Sequence, residues 1–444
     1  MPGEGDTLFV SFSPLNDKQE EPVIWGSPLF TKLNAPAIGF SSLGGDWYPW
    51  RDTVSLIPRI SHIVARFSHI VVYGSSMGAY AAIKFSSLLN AGTVIALSPQ
   101  WSITEADIGS FDDRFKTYVS PDLHDGMAIR SGDASGSVYV FVDPAHEADV
   151  QHIERISNVI ACHIVPVRCV GHNTADFLAN SGMSQPFFDA VHKREFDLRT
   201  ARALIRKARR GSTYYLSNLS LYHSQRGQYP KAEAALRAAI LVDATDIGLK
   251  LKLADHLIRR GRPDAARQEL AGMTLDTIEQ PGHGIQFAEL QTTLGHAGEP
   301  IALSIAVVAR WPDSLHARLR LANIMRGAGR HAEAMDHAAI AQTLDLSSAN
   351  AWRGMAWCWH GLGQRDKAIA AISEAIAMNP ADGELRLVLI EFLMDATRFR
   401  DAEAEALKAR QLGLRGQPLQ DRLDLIWRRL DFLRQIPELW GNPA

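Results

Sequence analysis

Over the first 190 positions, short apolar runs alternate with polar or amphipathic stretches, and each run is too short to make a helix. Six of them predict strands: TLFVSF (7–12), APAIGF (35–40), HIVVYG (69–74), TVIALS (93–98), SVYVFV (137–142) and CHIVPV (162–167). These runs are continuously apolar, the pattern of strands covered on both faces. The stretches 51–67, 78–90 and 148–160 between them carry apolar residues at helical spacing. Strand, helix, strand in that order predicts an α/β domain with a mostly parallel sheet over residues 1–190.

From about residue 211 the strands stop and a period replaces them. Gly227, Gly261, Gly295, Gly329 and Gly363 stand 34 residues apart, and Thr397 occupies the next slot. Five positions after each come Ala232, Ala266, Pro300, Ala334, Ala368 and Ala402. Small residues let paired helices approach, and glycine suits the turn between them. The pattern resembles the tetratricopeptide repeat, a pair of antiparallel helices every ~34 residues. Six such units are expected over 213–416, after a connector at 191–212 with one charged helix. A capping helix and tail would follow over 417–444. The fifth unit fits best, with Trp352, Met355, Ala356 and Trp359 on its first helix and Ala368, Ile372 and Ala375 on its second. The third unit, 281–314, departs from the pattern through Gly284, Gly298 and Pro300, so its second helix is expected to start late. An all-α solenoid of this kind implies a protein or peptide partner on its concave face.

The chain has 444 residues, 46% of them hydrophobic and 21% charged, with a formal net charge of -3. That length favours two or more domains, and that charge argues against nucleic acid as the main partner. The basic run RKARR (206–210) reads as a solvated helix face. Three cysteines, Cys162, Cys169 and Cys358, match neither a disulfide framework nor a zinc site. No membrane span and no export signal are apparent, so a cytoplasmic protein is expected. No dinucleotide fingerprint, phosphate loop or His-Glu-x-x-His string occurs, and neither a cofactor nor a metal is expected.

The chemistry-bearing stretch is VVYGSSMGAYAAI (71–83). Gly74 and Gly78 flank Ser76 where a strand turns into a helix, and side chains there would collide as the two close together. A Gly-x-Ser-x-Gly string in that context resembles the nucleophile elbow of the α/β-hydrolase fold. In that family the chain order is nucleophile, acid, base. The resemblance therefore implies Ser76 as nucleophile, Asp143 as acid after the fifth strand, and His172 as base after the last. Asp143 also opens an Asp-Pro turn, which leaves Glu147 and Asp149 as alternative acids. His172 competes with His146 and His152, and with His163, which reads as a packed strand residue.

The resemblance also implies an oxyanion hole built from the backbone N–H of Met77 and one from Ser13 or Leu15. Trp47, Tyr48 and Trp101 are candidates for a substrate pocket, and the segment 99–136 for a lid. Together these features imply a serine esterase acting on a small or surface-presented acyl ester or thioester, with the repeats docking a protein or an oligomer mate. Acyl transfer would use the same residues. A non-catalytic repeat scaffold with a degenerate hydrolase half is the alternative.

Overall fold

The six apolar runs become six strands with bounds close to those expected: β1 (Thr7–Phe12), β2 (Ala37–Phe40), β3 (His69–Ser75), β4 (Thr93–Leu97), β5 (Ser137–Val142) and β6 (His163–Pro166). The computed structural model describes residues 1–15, 24–42, 44–295, 300–380, 382–412, 414 and 417–434. Every pairing is parallel, in the order β2-β1-β3-β4-β5-β6. The chain steps from β1 outward to β2 and then back across to β3. The carboxyl ends of β1 and β3 therefore flank the point where strand order reverses, the place where open parallel sheets form a crevice.

Alternation along the strands builds two core layers. Leu8, Val10, Phe12, Val72 and Val94 face one side with Tyr80, Ile83 and Ile153. Phe9, Val71, Tyr73, Ile95 and Phe141 face the other with Phe177, Phe187 and Ile205. The covering helices are α1 (Ser27–Leu33), α2 (Trp50–Val64), α3 (Met77–Lys84), α6 (Glu147–Val159), α7 (Thr174–Asn180), α8 (Ser184–His192) and α9 (Leu198–Gly211), while the short α4 (Glu105–Ile108) and α5 (Pro121–His124) lie in the 99–136 segment. The charged helix expected as a connector is α9. It buries Ala201, Ile205 and Ala208 in the second layer and turns Arg199, Arg202, Arg206 and Arg210 to solvent. His163, expected as a packed residue, is exposed instead, because β6 is an edge strand.

The helices of the periodic region are α10 (Thr213–Gln225), α11 (Tyr229–Val242), α12 (Ile247–Arg259), α13 (Pro263–Glu269), α14 (Pro281–Thr293), α15 (Pro300–Arg310), α16 (Leu315–Gly327), α17 (His331–Leu344), α18 (Ala349–Gly361), α19 (Arg365–Met378), α20 (Gly383–Asp395), α21 (Phe399–Gln411) and α22 (Gln417–Arg434). The chain divides into two compact units, Met1–Leu249 and Lys250–Ala444. The five register glycines all have positive φ, from 68° to 77°, and Thr397 adopts φ 60° in the same role. Ala232, Ala266, Ala334, Ala368 and Ala402 are fully buried, as close helix pairs require. The second helix of the second unit is only seven residues long, ending before Gly272 at φ 77°. In the third unit, Gly284 makes room for the Trp311 ring, which a Cβ would meet at 2.2 Å. Its second helix begins at Pro300; positions 296–299 lie outside the described residues. In α22, Leu419, Leu423, Ile426 and Leu430 are buried against the last pair of helices; the tail from 435 lies outside the described residues.

Candidate active site

The β3–α3 turn is as tight as its glycines suggest. A Cβ on Gly74 would lie 2.2 Å from the Gly78 carbonyl carbon, and one on Gly78 would lie 2.1 Å from the Phe12 carbonyl oxygen. Contacts this close exclude any side chain at either position. Between them Ser76 adopts φ 52°, ψ -119°, a conformation that costs a non-glycine residue on the order of 1–3 kcal/mol. Packing on both sides holds it there: the Ser76 N–H donates to Leu97 O at 2.8 Å, and its carbonyl accepts from Ala79 and Tyr80. The result lifts Oγ to the carboxyl edge of the sheet beside the reversal point.

There it meets His172. Ser76 Oγ and His172 Nε2 are 2.8 Å apart, although 96 positions separate them in sequence. The other ring nitrogen, Nδ1, faces Asp149, at 2.8 Å from Oδ2 and 3.0 Å from Oδ1. A carboxylate can only accept, so Nδ1 carries the proton and Nε2 is left to accept from the serine hydroxyl. That is the tautomer a general base needs.

Asp143, the acid expected from its place after β5, does not touch the imidazole. Its Oδ2 accepts the N–H of Val170 at 2.8 Å and of Gly171 at 2.9 Å, while Oδ1 accepts Ala145 N–H at 3.0 Å. It therefore pins the loop that delivers His172. Asp149, farther along at the start of α6, reaches the ring instead. Its placement comes from His146, the N-cap of α6, whose Nδ1 accepts Asp149 N–H at 3.3 Å. Glu147 is the first residue of that helix. Of the competing histidines, His146 lies beside His172, with ring centroids 5.9 Å apart, and His152 is fully buried.

Asp149 is completely buried. Burial by itself raises its pKa, but the hydrogen bond from His172, with the charges of His172 and Arg114, outweighs it and holds the carboxyl well below the usual carboxylate range. Arg114 Nη2 lies 2.8 Å from Asp149 Oδ1 and 2.7 Å from Asp112 Oδ2. Asp112 in turn meets His152 Nε2 at 3.0 Å, and His152 Nδ1 accepts Trp101 N–H at 3.1 Å. Burial pushes the His152 imidazole below its ordinary pKa, with Asp112 opposing, so the ring is neutral with its proton on Nε2.

Met77 N–H, the first amide of α3, has no acceptor among the described residues and points from a helix N-terminus toward the elbow, as an oxyanion donor should. Ser13 N–H is not available for that purpose: it donates to Phe40 O at 3.0 Å as an extension of the sheet. Leu15 N–H stays as the second candidate.

Two of the aromatic pocket candidates, Trp47 and Tyr48, are core instead, and Trp101 is partly buried. Trp47 is 1% exposed and packs against Phe115 and Tyr118. Tyr48 is 5% exposed, and its hydroxyl donates within the triangle of Ser13 O, Ser13 Oγ and Phe40 O. Trp101 donates from Nε1 to Ile129 O at 2.9 Å and braces the 99–136 segment. The sequence reading missed Gln100. Its Nε2 lies 3.3 Å from Ser76 Oγ and 3.3 Å from Ser98 O, while its buried Oε1 has no partner. A polar residue three positions past the end of β4 was the available signal.

The repeat region has a separate feature, a cavity of about 300 Å³ lined by Ile285, Glu289, Thr292, Ser304, Arg320 and Ile324, with Glu289 and Arg320 ion-paired. Among the described residues, no group of His, Cys, Asp and Glu is arranged to hold a metal ion, and no helix is long and apolar enough to cross a membrane.

No curated protein matches the chain. Among solved structures, the chain is similar to a thermophilic TPR protein of Thermus thermophilus, with 18% identity over 49% of this chain and 99% of that one, at TM-score 0.32. A tetratricopeptide repeat protein from Parabacteroides merdae gives 16% identity, 57% and 98% coverage, and TM-score 0.39. Yeast Tom70 gives 13% identity, 60% and 58% coverage, and TM-score 0.44. The tetratricopeptide repeat family model matches residues 224–279, so the C-terminal region carries repeats of that family.

Proposed function

We propose that the chain is a serine hydrolase of the α/β-hydrolase type, acting on an ester or thioester through an acyl-enzyme, with a tetratricopeptide array that docks a protein partner. One observation carries the reading. Ser76, held at φ 52° on a strand-to-helix turn, stands 2.8 Å from His172 Nε2, while Asp149 holds the opposite nitrogen of the ring. Three side chains from distant stretches converge in the geometry that nucleophilic catalysis requires.

In this reading, Ser76 Oγ attacks the acyl carbon as its proton passes to His172 Nε2. Asp149 keeps Nδ1–H in place and stabilises the imidazolium. Met77 N–H and the positive end of α3 meet the developing oxyanion. The imidazolium then returns the proton to the leaving group, and water, activated by the same nitrogen, releases the acyl group. An acceptor hydroxyl in place of that water would give acyl transfer with no change of residues. The array raises the local concentration of a substrate carried by its docked partner.

The test is labelling with a fluorescent fluorophosphonate. The expected result is stoichiometric modification that disappears in Ser76→Ala. The second reading is a repeat scaffold without catalysis, favoured by the family match, which falls on the repeats alone. Folded protein that takes up no label decides for the scaffold.

A further inference from the structure

Behind His172 runs a chain of charge whose two carboxylates are buried, and the function above does not use its cation, Arg114. Asp112 and Asp149 are 1% and 0% exposed, and both meet the same Arg114 nitrogen. Arg114 also donates from Nε to Asp112 Oδ1 at 2.8 Å, and its own backbone N–H donates to that oxygen at 3.1 Å. Arg114 belongs to the 99–136 segment between β4 and β5, whereas Asp149 belongs to α6. The guanidinium thus ties that segment to the acid on α6.

We propose that Arg114 is a positioning residue for the acid of the site: its guanidinium bridges Asp149 to Asp112 and, through Asp112 and His152, anchors the Asp149 carboxylate against His172 Nδ1. The proposal rests on the catalytic reading of Ser76, His172 and Asp149.

Charge counting supports it. His152 is neutral, so two buried carboxylates and one guanidinium leave a single negative charge, which matches the imidazolium that forms on His172 during attack. Without the guanidinium two buried carboxylates would lie next to each other uncompensated, and one would take up a proton. The groups facing Asp149 are His172 from the loop after β6, His146 from the start of α6, and Arg114; those facing Asp112 are Arg114 and His152. Arg155 of α6 is the next cation, and it lies over the Phe111 ring, 4.4 Å from its centroid. Arg114 is therefore the one cation in contact with both carboxylates among the described residues. Geometry adds a second reason. Asp149 Oδ1 is shared between His172 Nδ1 and Arg114, so the guanidinium fixes the rotation of the carboxylate that the imidazole senses. Phe115, the neighbour of Arg114, lies 6.3 Å from the His172 ring, so displacing the segment would disturb acid and base together.

The experiment compares wild type, Arg114→Gln and Arg114→Lys by two readouts. One is the downfield proton NMR resonance of His172 Nδ1–H; the other is the pH dependence of fluorophosphonate labelling. In R114Q we expect the resonance to broaden or vanish, labelling at neutral pH to slow by about tenfold or more, and its acid limb to move up by about one pH unit. R114K should lie between R114Q and wild type. A folded R114Q with the wild-type resonance and acid limb overturns the proposal. Should R114Q fail to fold, R114K decides, and a profile superposing on wild type overturns it equally. Failure of the hydrolase reading is a separate result, absence of label on wild type, while the Nδ1–H resonance still reports whether Arg114 holds the carboxylate.

Discussion

The Asp143 carboxylate accepts the N–H of Gly171 at 2.9 Å, one residue short of the imidazole that chain order assigned to it. The carboxylate at position 143 therefore places the histidine loop, and the one at position 149 orients the ring.

The division of labour between these two acids gives the first prediction. Asp149→Asn puts an amide against Nδ1 and favours the wrong tautomer, so fluorophosphonate labelling should fall by about 10³–10⁴-fold while the fold survives. Asp143→Ala strips the acceptor from three backbone N–H groups, two of them in the histidine loop. It should lower stability by about 2–4 kcal/mol, read by urea denaturation, and reduce labelling less than D149N does. The reverse ranking of the two labelling rates would return Asp143 to the triad.

Gln100 supplies the second. Its amide donates toward Ser76 Oγ, where under the proposed mechanism it would stabilise charge on the oxygen as the proton leaves, and its buried Oε1 has no partner among the described residues. Replacement by Leu removes the donor and an unsatisfied acceptor together. We expect labelling of Q100L to slow by about tenfold with little loss in Tm, because deleting an orphaned polar atom offsets the altered packing. A drop in Tm with an unchanged labelling rate would make Gln100 structural only.

Acid sensitivity follows from the buried network with a definite sign. His152 has a folded pKa below its ordinary 6.5, so the unfolded chain binds the extra proton first and stability falls as pH drops below about 6.5. Asp112 and Asp149 have folded pKa values below their ordinary 3.8, so their contribution is complete above about pH 4 and is lost as pH falls further. Thermal melts should therefore show a decline between pH 7 and 5, then a second decline below pH 4. In His152→Gln the first decline should flatten and the second should remain.

Sequence and structure agree where local chemistry dictates the result. The apolar runs became strands because both sheet faces are covered, and the elbow was legible because only glycine fits at positions 74 and 78. The glycine register was legible for a related reason, since each turn needs a positive φ. The choice between Asp143 and Asp149 was not legible. It depends on the helix cap at His146, which sets where α6 begins, and on where the loop after β6 folds back. Trp47 and Tyr48 were misread because aromatic residues beside a Gly-Gly turn look the same whether they line a mouth or plug a core. For Trp47 the burial is decided by Phe115 and Tyr118, about seventy positions away.

Helix α10 also reaches the histidine loop. Asn173 Nδ2 donates to the Tyr214 hydroxyl at 3.2 Å, and that hydroxyl donates to Val170 O at 3.3 Å, so the two contacts bracket Gly171 and His172. Tyr214 lies on α10, within the same compact unit as the triad. Each neutral hydrogen bond contributes about 1 kcal/mol, enough to bias a loop already pinned by Asp143 from its other side. Tyr214→Phe should slow labelling by about three- to tenfold without changing the thermal transition of the array. Because Asp143 and Tyr214 hold one loop, the double variant D143N/Y214F should lose more than the product of the single losses. Multiplicative losses would mean that the helix and the loop are independent, and that nothing docked on the repeats could reach His172 by this route.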